Sequence, residues 1–341
     1  MAAASGGGDV PLATLRAHAD AVNSVAFQDD EHLLSTSHDG TLKLWSLTTH
    51  RPLLSIDAHK PKPGLAVQPL PPHKALTHGR DGMVKLWDLK HTGKTPSLQI
   101  QIESHSFCKC ALQTKHGETG RIAAALSDEL VIALPSPDAT QISILDLRHG
   151  KEIHRLIPDV LHQRVGMCMC LRFLGSFGIL SGWEDGTLQH FDLRSNSPTC
   201  CRRLHTQPML CVDTDSKFRR AITGSADCKV CVTPLAMNVD NTSAMGNTCT
   251  FGGPQEIEIP VSKESSGAGG IASICVRGDS KIVAAAGWDH RIRVWQWRNM
   301  KPLAILRMHT QSVNDVSFSP RGSLLASASS DHTIGLWKLG Y

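Results

Sequence analysis

The chain has 341 residues, of which 41% are hydrophobic and 19% charged, and its formal net charge at pH 7 is +4. This composition excludes a mainly disordered chain. The 35 basic and 31 acidic residues are interspersed, so no concentrated basic surface is offered to nucleic acid. No apolar run reaches the roughly 20 residues of a membrane-spanning helix, and the opening MAAASGGGDV has no stretch typical of a targeting signal. We therefore expect a protein of the cytoplasm or nucleus, without membrane insertion or direct binding of nucleic acid.

An eleven-residue pattern recurs along the chain, with an Asp six residues before an aromatic residue and a tight turn directly after the Asp. Trp45 and Trp87 are 42 residues apart, and so are Trp295 and Trp337. The clear copies are STSHDGTLKLW (35–45), THGRDGMVKLW (77–87), SGWEDGTLQHF (181–191), AAGWDHRIRVW (285–295) and SASSDHTIGLW (327–337). Fainter copies are TGSADCKVCVT (223–233) and QISILDL (141–147).

These segments resemble WD40 repeats, and the resemblance extends over nearly the whole chain in one register. WD40 repeats of about 40–45 residues fold as the four-stranded blades of a β-propeller. We predict an all-β protein, a seven-bladed WD40 propeller that forms a single domain over residues 10–341. The third strands of the blades are expected to end near Leu47, Leu89, Leu147, Leu193, Thr233, Trp297 and Leu339.

The two ends of the chain predict how the ring closes. The seventh repeat stops at Tyr341 without an outer strand, whereas PLATL (11–15) precedes the first repeat and has the pattern of one. Pairing of this N-terminal strand with the last blade would cover two exposed sheet edges. Residues 1–9, rich in Ala and Gly, are predicted to be a flexible N-terminus.

Polar residues recur inside the repeats and predict a buried hydrogen-bond network in each blade, because buried polar groups need partners. Gly79 stands where the second blade would have its Ser, and no His precedes Ile271 in the sixth, so we expect those networks to be incomplete. Repetition in separate blades favours a structural role over a catalytic one. The predicted network residues are His18, Ser37, Asp39, Trp45, Asp81, Trp87, Asp185, Asp227, Asp289, Trp295, His309, Ser329, Asp331 and Trp337.

Two segments depart from the repeat and are predicted to be long loops. Residues 113–140 interrupt the third blade, and residues 234–254 lie between the third and fourth strands of the fifth. Long loops on a rigid scaffold can carry function, but they are equally places where insertions are tolerated.

No arrangement of residues predicts catalysis, a cofactor or a metal. Lys94 ends a sequence like that of a phosphate-binding loop, but Asp88 stands where its first Gly belongs. Cys228 and Cys231 are half of a zinc motif without a second pair. The eleven cysteines have no spacing typical of a disulfide framework, which favours a reducing compartment. We therefore predict a non-catalytic scaffold.

Several segments are more distinctive than the repeats, among them HSFCK (105–109), RVGMCMCLRF (164–173) and GWDHRIRV (287–294). With these the chain resembles the family of guanine nucleotide-binding protein subunit beta-like protein 1, also called ASTRA-associated protein 1. PSLQIQIESHSFCK (96–109) and the closing LLASASSDHTIGLWKL (324–339) look most like the plant and algal branch, named for decreased size exclusion limit. The resemblance implies a monomeric propeller acting with the ASTRA and Tel2–Tti1–Tti2 co-chaperone machinery in maturation of phosphatidylinositol-3-kinase-related kinases, and hence in DNA-damage signalling and chromatin. The plant branch implies a further role in plasmodesmal transport and development.

A substrate adaptor of a DDB1-based ubiquitin ligase is the alternative. Some propellers dock on that scaffold through Trp-Asp-x-Arg at the end of the third strand. FDLR (191–194), LDLR (145–148) and WDLK (87–90) each differ from the motif at one position. The simpler interpretation is that Asp192 and Asp146 end their strands.

The residue before each turn Asp has no role in the predicted network and can point outward at one end of the channel. Aromatic and Arg side chains are the usual anchors of protein interfaces, so this rim is the predicted partner-binding face. Trp288 is the principal candidate. The residues assigned to the face are Trp288, Trp183, Arg80, Glu184, His38, Asn23 and Asn314.

Overall fold

The computed structural model describes residues 10–90, 95–102, 106–113, 130–159, 165–238, 248–259 and 269–340. These residues form seven antiparallel sheets, the blades, with no helix among them. The N-terminal strand is β1 (Ala13–Arg16). Residues 1–9, predicted to be flexible, lie outside the described residues.

The first four blades follow the chain, and each runs from an inner strand A through B and C to an outer strand D. Blade 1 contains β2 (Val22–Phe27), β3 (His32–Ser37), β4 (Thr41–Ser46) and β5 (Arg51–Asp57). Blade 2 contains β6 (Gly64–Leu70), β7 (Lys74–Gly79), β8 (Met83–Asp88) and β9 (Leu98–Gln101). Blade 3 contains β10 (Ala111–Leu112), β11 (Val131–Pro135), β12 (Ile142–Asp146) and β13 (Lys151–Leu156). Blade 4 contains β14 (Cys168–Leu174), β15 (Gly178–Trp183), β16 (Thr187–Asp192) and β17 (Ser197–Arg203).

Blade 5 has an additional strand, and the last blade draws on both ends of the chain. Blade 5 contains β18 (Met209–Thr214), β19 (Arg220–Ser225), β20 (Lys229–Asn238), β21 (Thr248–Phe251) and β22 (Gln255–Glu258). Blade 6 contains β23 (Ile271–Val276), β24 (Ile282–Gly287), β25 (Arg291–Gln296) and β26 (Lys301–Arg307). Blade 7 contains β27 (Val313–Phe318), β28 (Leu324–Ser329) and β29 (Thr333–Lys338), with β1 as its outer strand.

The N-terminal strand closes the ring as the sequence predicts. β1 pairs antiparallel with β29, with Ala13 opposite Leu336 and Arg16 opposite Thr333. The side chain of Leu15 is almost fully buried and packs in one cluster with Val22 of blade 1 and with blade 7. The closing strand therefore contributes both backbone hydrogen bonds and part of the seam between the first and last blades.

The core is divided into seven apolar clusters, one in each seam between neighbouring blades. Successive side chains of a strand point to opposite faces of its sheet, and here both faces pack on a neighbouring blade. This is why β15 and β24 are buried at every position.

The channel-side strands have no strand partner toward the channel, so acceptors must come from other groups. The Asp315 carboxylate accepts hydrogen bonds from the backbone N–H of Val25 (3.1 Å) and from the Ser273 hydroxyl (2.7 Å), and Lys109 Nζ lies 3.0 Å from it. One carboxylate of blade 7 thus joins blades 1, 3 and 6. Asp213 has the same role in blade 5, where it accepts from the N–H of Val276 in blade 6 (2.7 Å).

The two predicted loops are shorter than the sequence suggests. Within 113–140, residues 131–135 are the fully buried strand β11, the B strand of blade 3. Within 234–254, β20 continues past Thr233 to Asn238 and pairs with β21. That segment is therefore built on a β-hairpin. Residues 114–129 and 239–247 lie outside the described residues.

Closure by β1 can be tested by truncation. Deletion of residues 1–16 removes both the pairing with β29 and the buried Leu15, and should lower the free energy of unfolding by at least about 3 kcal/mol, since burial of one such side chain is worth about 2–5 kcal/mol. The measurement is a denaturant melt, with light scattering for association through the freed edges. Deletion of residues 1–9 is the control and should melt like the full chain. Equal melts for both truncations would contradict the closure.

Candidate functional site

Three side chains of blade 1 form a directed chain of hydrogen bonds that ends on a carboxylate. Trp45 Nε1–H donates to Ser35 Oγ (2.8 Å), and Ser35 Oγ lies 2.7 Å from His18 Nε2. His18 Nδ1 lies 3.4 Å from Asp39 Oδ2. Donors and acceptors match along the chain when the imidazole is neutral and carries its proton on Nδ1.

The electrostatics agree with this tautomer. Burial lowers the pKa of His18, so its imidazole is neutral at pH 7. Burial alone would raise the pKa of the Asp39 carboxyl, but hydrogen bonds from His18, Thr41 and Ala19 hold that pKa well below its ordinary value. The opposed effects on Asp331 give the same result in blade 7. A carboxylate that accepts this many hydrogen bonds is a structural acceptor, with none of its capacity left for a substrate.

The serine of the network differs from the prediction by two residues. Ser35 and Ser327 receive the indole N–H groups, whereas Ser37 and Ser329 donate to the backbone carbonyls of residues 20 and 311. Ser37 and Ser329 therefore fasten the loop before strand A to strand B and do not touch the His.

The network of blade 2 is complete, contrary to expectation. Thr77, at the position of Ser35, accepts from Trp87 Nε1–H (2.9 Å) and lies 2.8 Å from His59 Nε2. His59 Nδ1 lies 2.8 Å from Asp81. Gly79 corresponds to Ser37, which is not part of this chain of hydrogen bonds, so the missing hydroxyl removes none of them.

Blade 5 has the same network without its Trp, and blade 6 holds the equivalent Asp with an Arg. In blade 5 His205 bridges Thr223 (2.9 Å) and Asp227 (3.1 Å), although no Trp completes the chain. In blade 6 the guanidinium of Arg293 binds Asp289 through two hydrogen bonds of 2.6 and 3.0 Å, and both side chains are buried. A bidentate Arg pair is a strong charge-assisted contact and replaces the missing His.

One hydrogen bond recurs at one end of the ring and defines what we call the top face. In each blade except the third, the N–H of the residue before the turn Asp donates to the carbonyl of the residue before strand A, over 2.8–3.1 Å. The donor residues are His38, Arg80, Glu184, Ala226, Trp288 and Ser330. Their backbones are thereby fixed at this end of the ring.

The predicted rim residues differ in how far they project. His38, Arg80 and Glu184 are exposed. Trp288 is half-buried because its ring lies on Gly270, where a Cβ would meet Trp288 Cε3 at 2.5 Å. Trp288 therefore offers only part of its ring to a partner.

The assignment of Trp183 to the face is wrong. Trp183 occupies the position of Ser37, and its side chain is completely buried. Its indole N–H donates to Ser181 Oγ (3.0 Å). Phe191 stands where other blades have their network Trp and has no N–H, so Trp183 supplies the missing donor from within blade 4.

Asn23 and Asn314 lie near the rim but fasten neighbouring blades together. Asn23 Nδ2 donates to the carbonyl of Gly64 (2.8 Å), and Asn314 Nδ2 donates to that of Val22 (2.9 Å). Both are half-buried. They contribute to the rigidity of the face more than to its exposed chemistry.

Two exposed apolar residues of the top face were missed by the sequence analysis. Phe107 is 63% exposed and Met167 is 40% exposed. The Arg80 guanidinium lies 4.3 Å from the centre of the Phe107 ring, close enough for a cation–π interaction. The available signal was position: Met167 directly precedes strand A of blade 4, where other blades have Ala, Pro, Gly or Ser, and Phe107 lies in the segment that leads into strand A of blade 3.

The opposite end of the ring holds FDLR (191–194), one of the three segments that suggested a ubiquitin-ligase adaptor. Arg194 binds Asp192 through hydrogen bonds of 2.8 and 3.2 Å, and its guanidinium lies 5.2 Å from the Phe177 ring. Asp192 is buried at the end of β16. The pair is thus part of the end of the strand, as the simpler interpretation expects.

Neither a metal centre nor a membrane span is found in the described part of the chain. No three His, Cys, Asp or Glu side chains there are grouped closely enough to hold a metal ion. The same residues include no helix with the length and hydrophobicity that crossing a membrane requires.

Repeats, blades and closure together define a WD40 β-propeller. The model of the WD domain, G-beta repeat, matches residues 9–46, 261–296 and 300–338. The chain is 30% identical over 345 residues to guanine nucleotide-binding protein subunit beta-like protein 1 of Mus musculus, with 96% of each chain covered. It is 26% identical over 385 residues to ASTRA-associated protein 1 of Schizosaccharomyces pombe, with 96% of this chain and 98% of that protein covered. ASTRA-associated protein 1 of Schizosaccharomyces japonicus is 23% identical over 376 residues, with the same coverage.

The chain belongs to the family of guanine nucleotide-binding protein subunit beta-like protein 1. The resemblance found in the sequence is confirmed, and so is the all-β, seven-bladed fold. Fold and family together support a protein-interaction scaffold with protein partners in a complex.

The network can be tested at Trp337, which is completely buried and donates to Ser327. Trp337→Ala should cost about 3–5 kcal/mol, as for large aromatic truncations in cores. Trp337→Phe keeps most of the apolar contact but removes the N–H donor, and should cost about 1–2 kcal/mol. Both are measured by denaturant melts. A loss below about 0.5 kcal/mol for Trp337→Ala, typical of a surface residue, would contradict the structural role.

Proposed function

We propose that this protein is a non-catalytic interaction subunit that acts with the ASTRA and Tel2–Tti1–Tti2 co-chaperone machinery in maturation of phosphatidylinositol-3-kinase-related kinases, in the cytoplasm or nucleus. The observation that carries the proposal is near-full-length similarity to proteins named ASTRA-associated protein 1. The internal networks support the non-catalytic part, because their His and Asp side chains are already paired inside the blades.

The top face is the proposed partner-binding surface. Its turns are fixed by the recurring backbone hydrogen bond, so their side chains are presented on a rigid frame. Rigid presentation lowers the entropy lost on binding. Arg80 is exposed and Trp288 is partly so, and both residue types are enriched at the energetic centres of interfaces.

Affinity purification tests both parts of the proposal. The tagged wild type should recover co-chaperone subunits, identified by mass spectrometry. Arg80→Glu and Trp288→Ala should each lower that recovery by at least about fivefold, the effect of losing about 1 kcal/mol at an interface. Arg298→Glu is the matched control, because Arg298 is exposed in a turn at the opposite end of blade 6 and should retain the partners. Thermal melts establish that each variant is folded.

Two results would overturn the proposal in different ways. Recovery of DDB1 and other ubiquitin-ligase subunits without co-chaperone subunits would replace the proposed function by the adaptor role. Recovery of every partner by folded Arg80→Glu and Trp288→Ala would leave the assembly in place but move the binding surface away from this part of the rim.

A further inference from the structure

One part of the top face differs from the rest in its exposed apolar area. Met167 directly precedes β14, strand A of blade 4, and Phe107 lies four residues before β10, strand A of blade 3. The next residues, Cys108 and Cys168, pack in the same cluster in the seam between those blades. The two large apolar side chains therefore lie in neighbouring blades, at the top of the seam that Cys108 and Cys168 share.

The exposure of these side chains is not needed for the fold. At the position of Met167, directly before strand A, five other blades have small residues or proline, which are Ala21, Pro63, Pro208, Gly270 and Ser312. The backbone at this end of the ring thus takes up its conformation without a large side chain at that position. Leaving Phe107 63% exposed forgoes the stabilisation that burial of an aromatic ring provides, and exposed apolar patches mark interaction sites.

The charges around the patch are arranged with one sign on each side. On the blade 2 side the Arg80 guanidinium lies over the Phe107 ring. The Arg80 N–H donates to the carbonyl of Pro63, and the exposed Lys62 directly precedes Pro63 in the chain. Among the described residues neither Arg80 nor Lys62 forms an ion pair. On the blade 4 side Glu184 is exposed and accepts the Met167 N–H (3.0 Å).

We propose that Phe107, Met167, Arg80 and Lys62, here called the Phe107 patch, bind an acidic segment of a partner protein that carries a bulky apolar residue. The apolar residue covers Phe107 and Met167, and the acidic residues lie toward Arg80 and Lys62. The orientation follows from charge complementarity, because the reverse orientation would bring acidic residues against Glu184. The inference rests on the proposed function, since it names the partner chemistry of the same face.

An acidic peptide fits this patch better than nucleic acid does. The patch has two cations, Arg80 and Lys62, that form no ion pair with the described residues, whereas a phosphate backbone is bound by a series of cations. Glu184 adjoins the patch, and one face of its aromatic ring, that of Phe107, is covered by Arg80. A peptide needs one apolar contact and one or two carboxylates, which is what the patch offers.

Peptide selection on the full-length protein tests the proposal directly. Random dodecapeptides displayed on phage are selected on the immobilised wild type, and the enriched peptides are labelled and measured by fluorescence anisotropy. We expect them to combine Asp or Glu with Leu, Ile, Phe or Trp. Phe107→Ser and Arg80→Glu should each weaken their binding at least about tenfold. Binding should also weaken with added salt, because the charges of the patch are exposed.

The chain contains a matched control for the aromatic residue. Phe177 is 52% exposed and lies beneath Arg194, but in the turn between β14 and β15 at the opposite end of the ring. Phe177→Ser removes the same ring from a similar setting, and should leave the affinity of the selected peptides within about twofold of the wild type. A melt of each variant verifies that it is folded.

Several outcomes would overturn the inference. They are failure to enrich acidic peptides, enrichment of basic ones, and equal binding to the wild type and Phe107→Ser. An oligouridine of twenty nucleotides that binds the wild type and is lost in Phe107→Ser would assign the patch to nucleic acid instead. If co-chaperone subunits copurify but no acidic peptide is selected, the proposed function stands and this inference fails. If acidic peptides bind as expected but co-chaperone subunits do not copurify, the patch stands and the proposed assembly is wrong.

Discussion

The pairing of β1 with β29 is the contact on which the ring depends. Six blades take their outer strand from the part of the chain that follows strand C, in blade 5 after the intervening β21, but the seventh takes its own from the other end of the molecule. Leu15 then fills part of the seam between blades 7 and 1. Because each blade is held by the two seams beside it, a ring open at one seam would expose the apolar faces of two blades. The closing strand therefore stabilises blades that it does not touch.

In a closed ring the inner strands have no strand partner on the channel side, so side chains must accept their backbone hydrogen bonds. The side chains used in this way are not available to bind a partner protein. Asp315 and Asp213 accept backbone N–H groups of the next blade and are paired with Lys109 and Arg172. The His and Asp residues of the blades are used in the internal networks. Most of these polar side chains thus stabilise the propeller itself. The side chains left for partners are those that project from the fixed turns of the top face.

The periodic features of the fold could be predicted from the sequence because the same residue types recur at the same spacing in the repeats. The register of the Asp and Trp positions predicted the seven blades, and the unpaired seventh repeat predicted the closure. Features that depend on three-dimensional reach could not be predicted. Ser35 and Ser37 are the same residue type on one face of one strand, and only the position of the Trp45 ring decides which hydroxyl it reaches. Arg293 replaces a missing His from a different strand, where no search for a His would find it.

The candidate site was predicted only where its residues occupy a position that recurs in the repeats. The position before the turn Asp follows from the repeat, and three of its side chains are exposed as expected, namely His38, Arg80 and Glu184. Trp183 was misplaced because one shift along a strand separates a rim position from a core position. Phe107 was missed because its exposure depends on the path of a loop and on Arg80 of the preceding blade, neither of which is recorded in the pattern of one repeat.

The most direct test of whether the top face binds the partner is hydrogen–deuterium exchange. It is measured on the protein alone and on the protein with the purified Tel2–Tti1–Tti2 complex. The account predicts slower exchange of backbone N–H groups in top-face segments, in particular residues 60–64, 79–82, 165–168 and 184–186, with no change in the turns at the opposite end. Protection confined to those opposite turns, around residues 28–32, 175–178 and 217–220, would contradict it, and so would exchange that the complex leaves unchanged throughout.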